Sequence, residues 1–195
     1  MCCVSFIHQV RESQSHKSIV RLFDEADMLL PIITDLAVAW AERAEASAAT
    51  GTVGQSSGAK ASVPAGAVQI VRPTVKNSGL AFQETFSVYG GKCRYLCDLL
   101  SVVFVCDGIN DVISMLRVLQ EEHKNGNIIL FNGTVVTNNF LGDSKASMTK
   151  DGYRCIILRL VLRSTGHEIT LKSDHVCELQ IHLSHLYGVR DSVKG

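Results

Sequence analysis

The sequence predicts an α/β (α+β) protein, a mixed β-sheet flanked by helices, and three observations predict it. Short apolar runs rich in β-branched residues, such as 99–106, are typical of buried strands. Segments with an apolar helical period flank these runs, and the segment 175–183 alternates as a strand does. Hydrophobic residues make up 46% of the 195 residues and charged residues 19%, which excludes a largely disordered chain.

The chain divides into three regions by composition. Residues 1–48 are an N-terminal helical region, because apolar residues recur at the helical period from residue 17, and Pro31 is expected to kink or split the helix. Residues 49–69 are rich in Gly, Ser and Ala, which is typical of a flexible loop. Residues 70–195 carry the mixed helix and strand signals and form the main domain.

The main domain has a predicted order of elements. They are a helix at 78–90, a strand at 99–106, a helix from the caps at 107–111 to Asn125-Gly126, a strand at 128–131 that continues towards 135–136, a strand at 153–163, a turn at 164–166 and a strand at 175–183.

The last strand has two chemically different faces. Cys177, Leu179, Ile181 and Leu183 point to one side, and Val176, Glu178, Gln180 and His182 to the other. On alternation alone, the second face is interpreted as the solvated outer face of an antiparallel sheet.

Charge and cysteine content limit the partners of the protein. Lys plus Arg and Asp plus Glu both number 19, so binding of nucleic acid through net charge is not expected. The apolar stretch 28–39 is interrupted by Asp35 and is shorter than the roughly 20 residues of a membrane helix. The seven cysteines include no C-x-x-C pair, which favours free thiols in a reducing compartment. We therefore expect a cytoplasmic protein that binds neither nucleic acid nor a membrane.

Four motifs in order resemble one family. Arg94 to Leu100 ends in Asp98-Leu99-Leu100 before an apolar strand, and Val135 to Phe140 follows. Gly152-Tyr153-Arg154 then opens a strand, and Glu178-Leu179-Gln180-Ile181 lies in the last strand. Together they resemble the RelA/SpoT alarmone-synthetase domain, in the form found in microbial eukaryotes, over roughly residues 70–190.

The resemblance implies a nucleotidyltransferase-like fold and a reaction. The family transfers pyrophosphate from ATP to the 3′-hydroxyl of GDP or GTP with Mg²⁺, making guanosine tetraphosphate or pentaphosphate. It implies that Asp98 binds the metal, that Glu178 activates the acceptor hydroxyl and helps to bind the metal, and that Tyr153 stacks on guanine. A carboxylate suits both tasks, because Mg²⁺ prefers oxygen ligands and a ribose hydroxyl needs a proton acceptor.

The resemblance also assigns the remaining site residues. Lys92, Arg94 and Arg154, with Lys76, are the basic residues left to contact phosphates, and Gln180 lies near the acceptor on the face of Glu178. Other basic residues of the family are absent, because neutral side chains stand in their places. These are Ser101, Thr137 and Asn139.

Two alternatives to the enzyme stay open. With fewer cations around the phosphates, the domain is also consistent with a catalytically degenerate module that binds nucleotides or regulates another protein. Alternatively, the apolar face of the N-terminal helices packs on a partner or forms a homo-oligomer.

Overall fold

The structure is a computed structural model that describes residues 18–50, 68–130, 137–138, 155–163 and 173–187. Its helices are α1 (Ile19–Thr50), α2 (Ser78–Ser87), α3 (Ile109–Lys124) and α4 (Ser184–Tyr187), with a short 3₁₀ turn at Cys93–Tyr95. Its strands are β1 (Val68–Val75), β2 (Leu100–Cys106), β3 (Ile128–Leu130), β4 (Thr137–Asn138), β5 (Ile156–Leu162) and β6 (Val176–Leu183).

The six strands form one mixed sheet flanked by helices, which confirms the predicted fold class. The order across the sheet is β1-β2-β6-β5-β3, and β4 pairs with the other end of β5. Among the described strands only β2 and β6 run parallel, and Ser101 lies opposite Glu178 in that pair. On the other side of β6, Arg159 of β5 lies opposite the same Glu178.

Helix α1 is continuous, so the predicted split at Pro31 is wrong. The proline lies on the exposed side of the helix, where water can bind the backbone carbonyl that its missing N–H leaves without a partner. The opposite side carries the predicted apolar stripe, with Leu22, Leu29, Ile33 and Trp40 all buried. Packing of that stripe therefore stabilises the helix on both sides of the proline.

The apolar face of α1 belongs to the same hydrophobic cluster as the sheet and α3. Arg43 near its end pairs with Glu121 and Glu122 of α3, and Glu45 accepts a hydrogen bond from the N–H of Val68 at 2.9 Å. The apolar face of α1, which was predicted to pack on a partner or a second copy, is therefore buried against the sheet and α3 of the same chain.

Strand β1 was not predicted from the sequence, because it contains Pro73 and proline is rare inside strands. It is an edge strand with a register shift between Val71 and Thr74, which is the kind of position where a sheet accepts proline. Thr50 and Val68 already belong to α1 and β1, and the rest of the predicted flexible segment, 51–67, lies outside the described residues. The predicted turn at 164–166 also lies outside them.

Helix α2 ends earlier than predicted. Its N-terminus is capped by Asn77, whose side chain accepts hydrogen bonds from the N–H groups of Gly79 and Leu80. At the other end, Gly90 and Gly91 have φ values of 57° and 83°, which non-glycine residues rarely adopt, so the chain turns towards β2.

Five of the seven cysteines lie in the described part of the chain. Cys93, Cys97, Cys106 and Cys177 are buried free thiols, and Cys155 is buried as well. Within the described ranges, no helix combines the length and apolar character that crossing a bilayer requires.

Two neighbouring residues of α1 test its packing. Leu29→Ala should lower the free energy of unfolding by about 2–5 kcal/mol, because Leu29 is fully buried and truncation leaves a cavity. Met28→Ala is the control; Met28 is 55% exposed, so the change should stay within about 0.5 kcal/mol. Urea denaturation measures both, and equal effects of the two substitutions would contradict the burial of this stripe.

Candidate functional site

The polar face of β6 is buried, so its interpretation as a solvated outer face is wrong. Glu178 is 6% exposed and His182 is 1% exposed. The reason is topological: β6 lies in the middle of the sheet, and the chain that leads into β2 covers this face. Cys97 of that segment packs against Val161 and Val176 in a small apolar cluster.

Glu178 is held by two side chains, Gln180 on the same strand and Arg159 on the adjacent strand β5. The Gln180 Nε2 donates a hydrogen bond to Glu178 Oε1 at 2.9 Å, and Arg159 Nη2 lies 3.4 Å from Oε2. Burial raises the pKa of Glu178 and the charge of Asp98 raises it further, while Gln180 and Arg159 counteract part of this shift. The carboxylate therefore accepts a proton more readily than an exposed glutamate does.

A chain of hydrogen bonds continues from Glu178 along the strand. Because the Gln180 amide donates to Glu178, its carbonyl oxygen faces His182 Nε2 at 3.3 Å. This arrangement assigns the proton to Nε2 of His182. The imidazole also packs edge-on against Tyr187 of α4, with 5.2 Å between the ring centroids. The orientation of the glutamate is thus fixed by packed neighbours.

Asp98 lies just before β2 and has its own cation. Lys76 Nζ donates to Asp98 Oδ2 at 2.6 Å and also pairs with Glu84 of α2. The Tyr89 hydroxyl donates to Glu84 Oε1 at 3.1 Å. The second oxygen of Asp98, Oδ1, is buried and has no hydrogen-bond partner among the described residues.

The charges of Asp98 and Glu178 affect the same neighbouring groups. The charge of Asp98 contributes to the raised pKa of Glu178. Cys97, the residue before Asp98, is affected by both: burial raises its pKa to about 11, the charge of Arg159 lowers it in part, and the charges of Asp98 and Glu178 raise it. Asp98 is thus near enough for its charge to act on Glu178, and its neighbour Cys97 packs with Val176 on the face of β6 that carries Glu178.

The donor atoms fit Mg²⁺ at Asp98 better than at Glu178. Mg²⁺ is commonly held by one or two carboxylates, with phosphate and water oxygens completing the octahedron. Asp98 Oδ1 is such an available oxygen, whereas both oxygens of Glu178 have partners. In the part of the chain that is described, no group of three or more His, Cys, Asp or Glu side chains is arranged to hold a metal by itself.

The predicted phosphate contacts are only partly within the described structure. Lys92 is exposed at the start of the 3₁₀ turn. Arg94 is half-buried, with Nη2 3.1 Å from the Tyr95 hydroxyl and its guanidinium carbon 5.1 Å from the centre of that ring. Tyr153 and Arg154 lie outside the described residues, so their predicted roles stay predictions.

Two of the neutral replacements can be located. Ser101 lies next to Glu178 in the sheet, on the β2 side. Thr137 of β4 pairs in register with Ile157 of β5. Asn139 lies outside the described residues.

The sequence analysis missed three residues of this site. Arg159 had a visible signal, since it is the single charged residue in the apolar strand Ile156–Leu162. Glu84 and Tyr89 had none, because their partner Lys76 is brought to them only by the fold.

The comparisons with known proteins give structural likenesses only. Neither the protein-family models nor the curated proteins contain a match. Small alarmone synthetase 1 from Bacillus subtilis matches with a TM-score of 0.41 and 12% identity over 65% of this chain and 60% of that one. Its structure bound to the product pppGpp matches with a TM-score of 0.43 and 13% identity over 66% and 61%.

A third solved structure extends over more of this chain. It is the complex between the Type VI effector Tas1 and its immunity protein, with a TM-score of 0.40 and 14% identity over 84% of this chain and 62% of that one. This chain thus aligns with about three fifths of the length of each of these three.

The raised pKa of Glu178 gives a pH-dependent stability. A carboxyl group whose pKa is higher in the folded state stabilises the fold below its unfolded pKa, about 4.3, and this contribution is lost as the pH rises through the folded pKa. The unfolding free energy of the native chain relative to Glu178→Gln should therefore fall as the pH rises through that window. Denaturation at a series of pH values measures it.

Arg159→Leu should raise the pKa of Glu178 further, because it removes a charge that favours the carboxylate. Carbon-13 NMR of labelled glutamate measures this pKa directly. Arg163→Leu is the control: it removes an arginine just after β5 that pairs with Asp174, so the pKa of Glu178 should not change. A Glu178 pKa at or below that of an exposed glutamate would contradict the burial described here.

Proposed function

We propose that this chain is a RelA/SpoT-like alarmone synthetase, which transfers pyrophosphate from ATP to the 3′-hydroxyl of GDP or GTP. The observation that carries the proposal is the buried Glu178, held by Gln180 and Arg159, with a pKa that burial and the nearby charge of Asp98 raise. The order of the four sequence motifs around these two residues supports the same reaction.

Glu178 is the proton acceptor of the proposed reaction. A positioned carboxylate that takes the proton of a ribose hydroxyl accelerates attack by roughly 10²–10⁴-fold, and it does so best when its pKa lies near the working pH. Burial moves the pKa of Glu178 in that direction. Gln180 and Arg159 hold the carboxylate in one orientation, so the hydroxyl meets a fixed acceptor.

Asp98 is the proposed metal ligand, through the oxygen that has no hydrogen-bond partner among the described residues. Mg²⁺, when bound there, supplies positive charge to the triphosphate and to the leaving phosphate. Asp98 is itself held by Lys76, whose backbone N–H also binds the carbonyl of Leu99 at 2.8 Å. The carboxylate therefore keeps its place at the edge of the site.

Arg159 supplies a positive charge that the family motif places elsewhere. The motif has an arginine at the position of Ser101, on one side of Glu178. Arg159 occupies the opposite side, directly across from the same glutamate. This charge belongs to the proposed phosphate-binding group, together with Lys92 and Arg94 from the turn before β2 and with Arg154. Tyr153 is the residue proposed to stack on guanine, as the resemblance assigns it.

The test is product formation by the purified chain. Incubation with γ-labelled ATP and either GDP or GTP in Mg²⁺ should give a labelled tetraphosphate or pentaphosphate, separated by thin-layer chromatography. Glu178→Gln should lower the rate by about 10²-fold or more, because the proton acceptor is lost. Asp98→Asn should lower it similarly in Mg²⁺.

Glu121→Gln is the matched control, since Glu121 is a surface glutamate paired with Arg43 of α1 and should leave the rate unchanged. Calorimetry with GDP, GTP and ATP runs beside the assay. Nucleotide binding without product by the native chain would contradict transfer and identify a degenerate binding module instead.

A further inference from the structure

Lys76 lies where two carboxylates converge. Its ammonium group contacts Asp98 Oδ2 at 2.6 Å and pairs with Glu84 as well. The Tyr89 hydroxyl donates to the other oxygen of Glu84. A single positive charge thus holds together two acidic side chains that come from separate elements, α2 and the segment before β2.

The surroundings keep this lysine in place. Its side chain is 20% exposed, and those of Glu84 and Asp98 are 25% and 33% exposed. Its backbone N–H bonds to Leu99, so the base of the side chain is fixed at the edge of the sheet.

The lysine occupies one oxygen of Asp98 and leaves the other unpartnered. Of the two oxygens, Oδ2 accepts a hydrogen bond from the ammonium group, and Oδ1 is buried without a hydrogen-bond partner in the described part of the chain. A divalent cation approaching Asp98 therefore meets the positive charge of Lys76 at Oδ2, and the oxygen left to bind it is the buried one. Such a position gains little until further oxygen ligands arrive.

We propose that Lys76 is a built-in counter-cation of Asp98 and Glu84, which keeps divalent cations from binding firmly until they arrive with the phosphates of a nucleotide. The inference rests on the proposed function for the role of Mg²⁺, and it adds an order of binding: the metal enters as a metal–nucleotide complex. Lys76 is a positioning residue, since it acts through Asp98.

The experiment measures metal binding without nucleotide and without turnover. Calorimetric titration and Mn²⁺ electron paramagnetic resonance are applied to the full chain and to Lys76→Met, Lys76→Arg and Lys124→Met. Removing the charge of Lys76 should tighten Mn²⁺ binding by about tenfold or more, equivalent to about 1.4 kcal/mol. Lys76→Arg should bind Mn²⁺ as weakly as the native chain, and so should the control Lys124→Met, which changes an exposed lysine at the end of α3.

Thermal unfolding is the second readout. Lys76→Met leaves Asp98 and Glu84 without a shared cation, so its melting temperature should be low in EDTA and should rise with Mg²⁺, whereas that of the native chain should not. Lys76→Gln, which keeps a hydrogen-bond donor, serves if the methionine variant unfolds without metal. Equal Mn²⁺ affinity in the native chain and the neutral variants, or no rescue of either variant by Mg²⁺, would overturn the proposal.

The two proposals fail separately. A chain that makes no alarmone but gains metal affinity in Lys76→Met loses only the proposed reaction. A chain that makes alarmone and binds Mn²⁺ firmly by itself loses only the role of Lys76.

Discussion

The parallel pairing of β2 with β6 is the constraint on which the site depends. It aligns Ser101 with Glu178 and thereby brings the segment that ends in Asp98 to the face where Glu178 lies. The same pairing makes β6 a central strand, flanked by β2 and β5. Its two faces are buried by what packs over the sheet: the main hydrophobic cluster on one side and the segment with Cys97 on the other. The raised pKa of the glutamate is therefore a consequence of this packing.

Charge compensation is the second feature of the molecule. A buried carboxylate is costly unless a cation or hydrogen-bond donors accompany it. Here Glu178 has Arg159 and Gln180, and Asp98 has Lys76. These cations come from positions other than those in the family motif, so the absence of arginine at Ser101 does not leave the site without positive charge. Lys76 is shared with Glu84, so two cations accompany three carboxylates among these residues.

The parts of the fold that follow from local pattern were predictable, and those that depend on distant contacts were not. The apolar period of α1 and the β-branched run of β2 identified both elements, because burial selects those residues directly. Alternation in β6 identified the strand and its two faces but not their burial, since a sequence does not show which strands lie beside it. β1 was hidden by Pro73, which an edge position tolerates.

The candidate site divides in the same way. Asp98 and Glu178 were found through motifs, and Arg159 was visible as a lone charge in an apolar strand. Glu84 and Tyr89 were not predictable, because nothing in α2 distinguishes a glutamate that meets Lys76 from one that meets water. Their role depends on the turn at Gly90 and Gly91, which returns the chain towards β2.

The positions of these ion pairs along the chain have a consequence for folding. Lys76 is 22 residues from Asp98, and this pair lies at the end of the antiparallel strands β1 and β2. Arg159 is 19 residues from Glu178, and this pair joins the antiparallel strands β5 and β6. Ser101 and Glu178, by contrast, meet only when the two halves of the sheet join. Contacts between distant residues form late, because closing a long loop costs entropy before it yields contacts. We therefore expect Asp98 to pair with Lys76, and Glu178 with Arg159, before β2 joins β6. The two carboxylates then approach one another with a cation beside each, which weakens their repulsion.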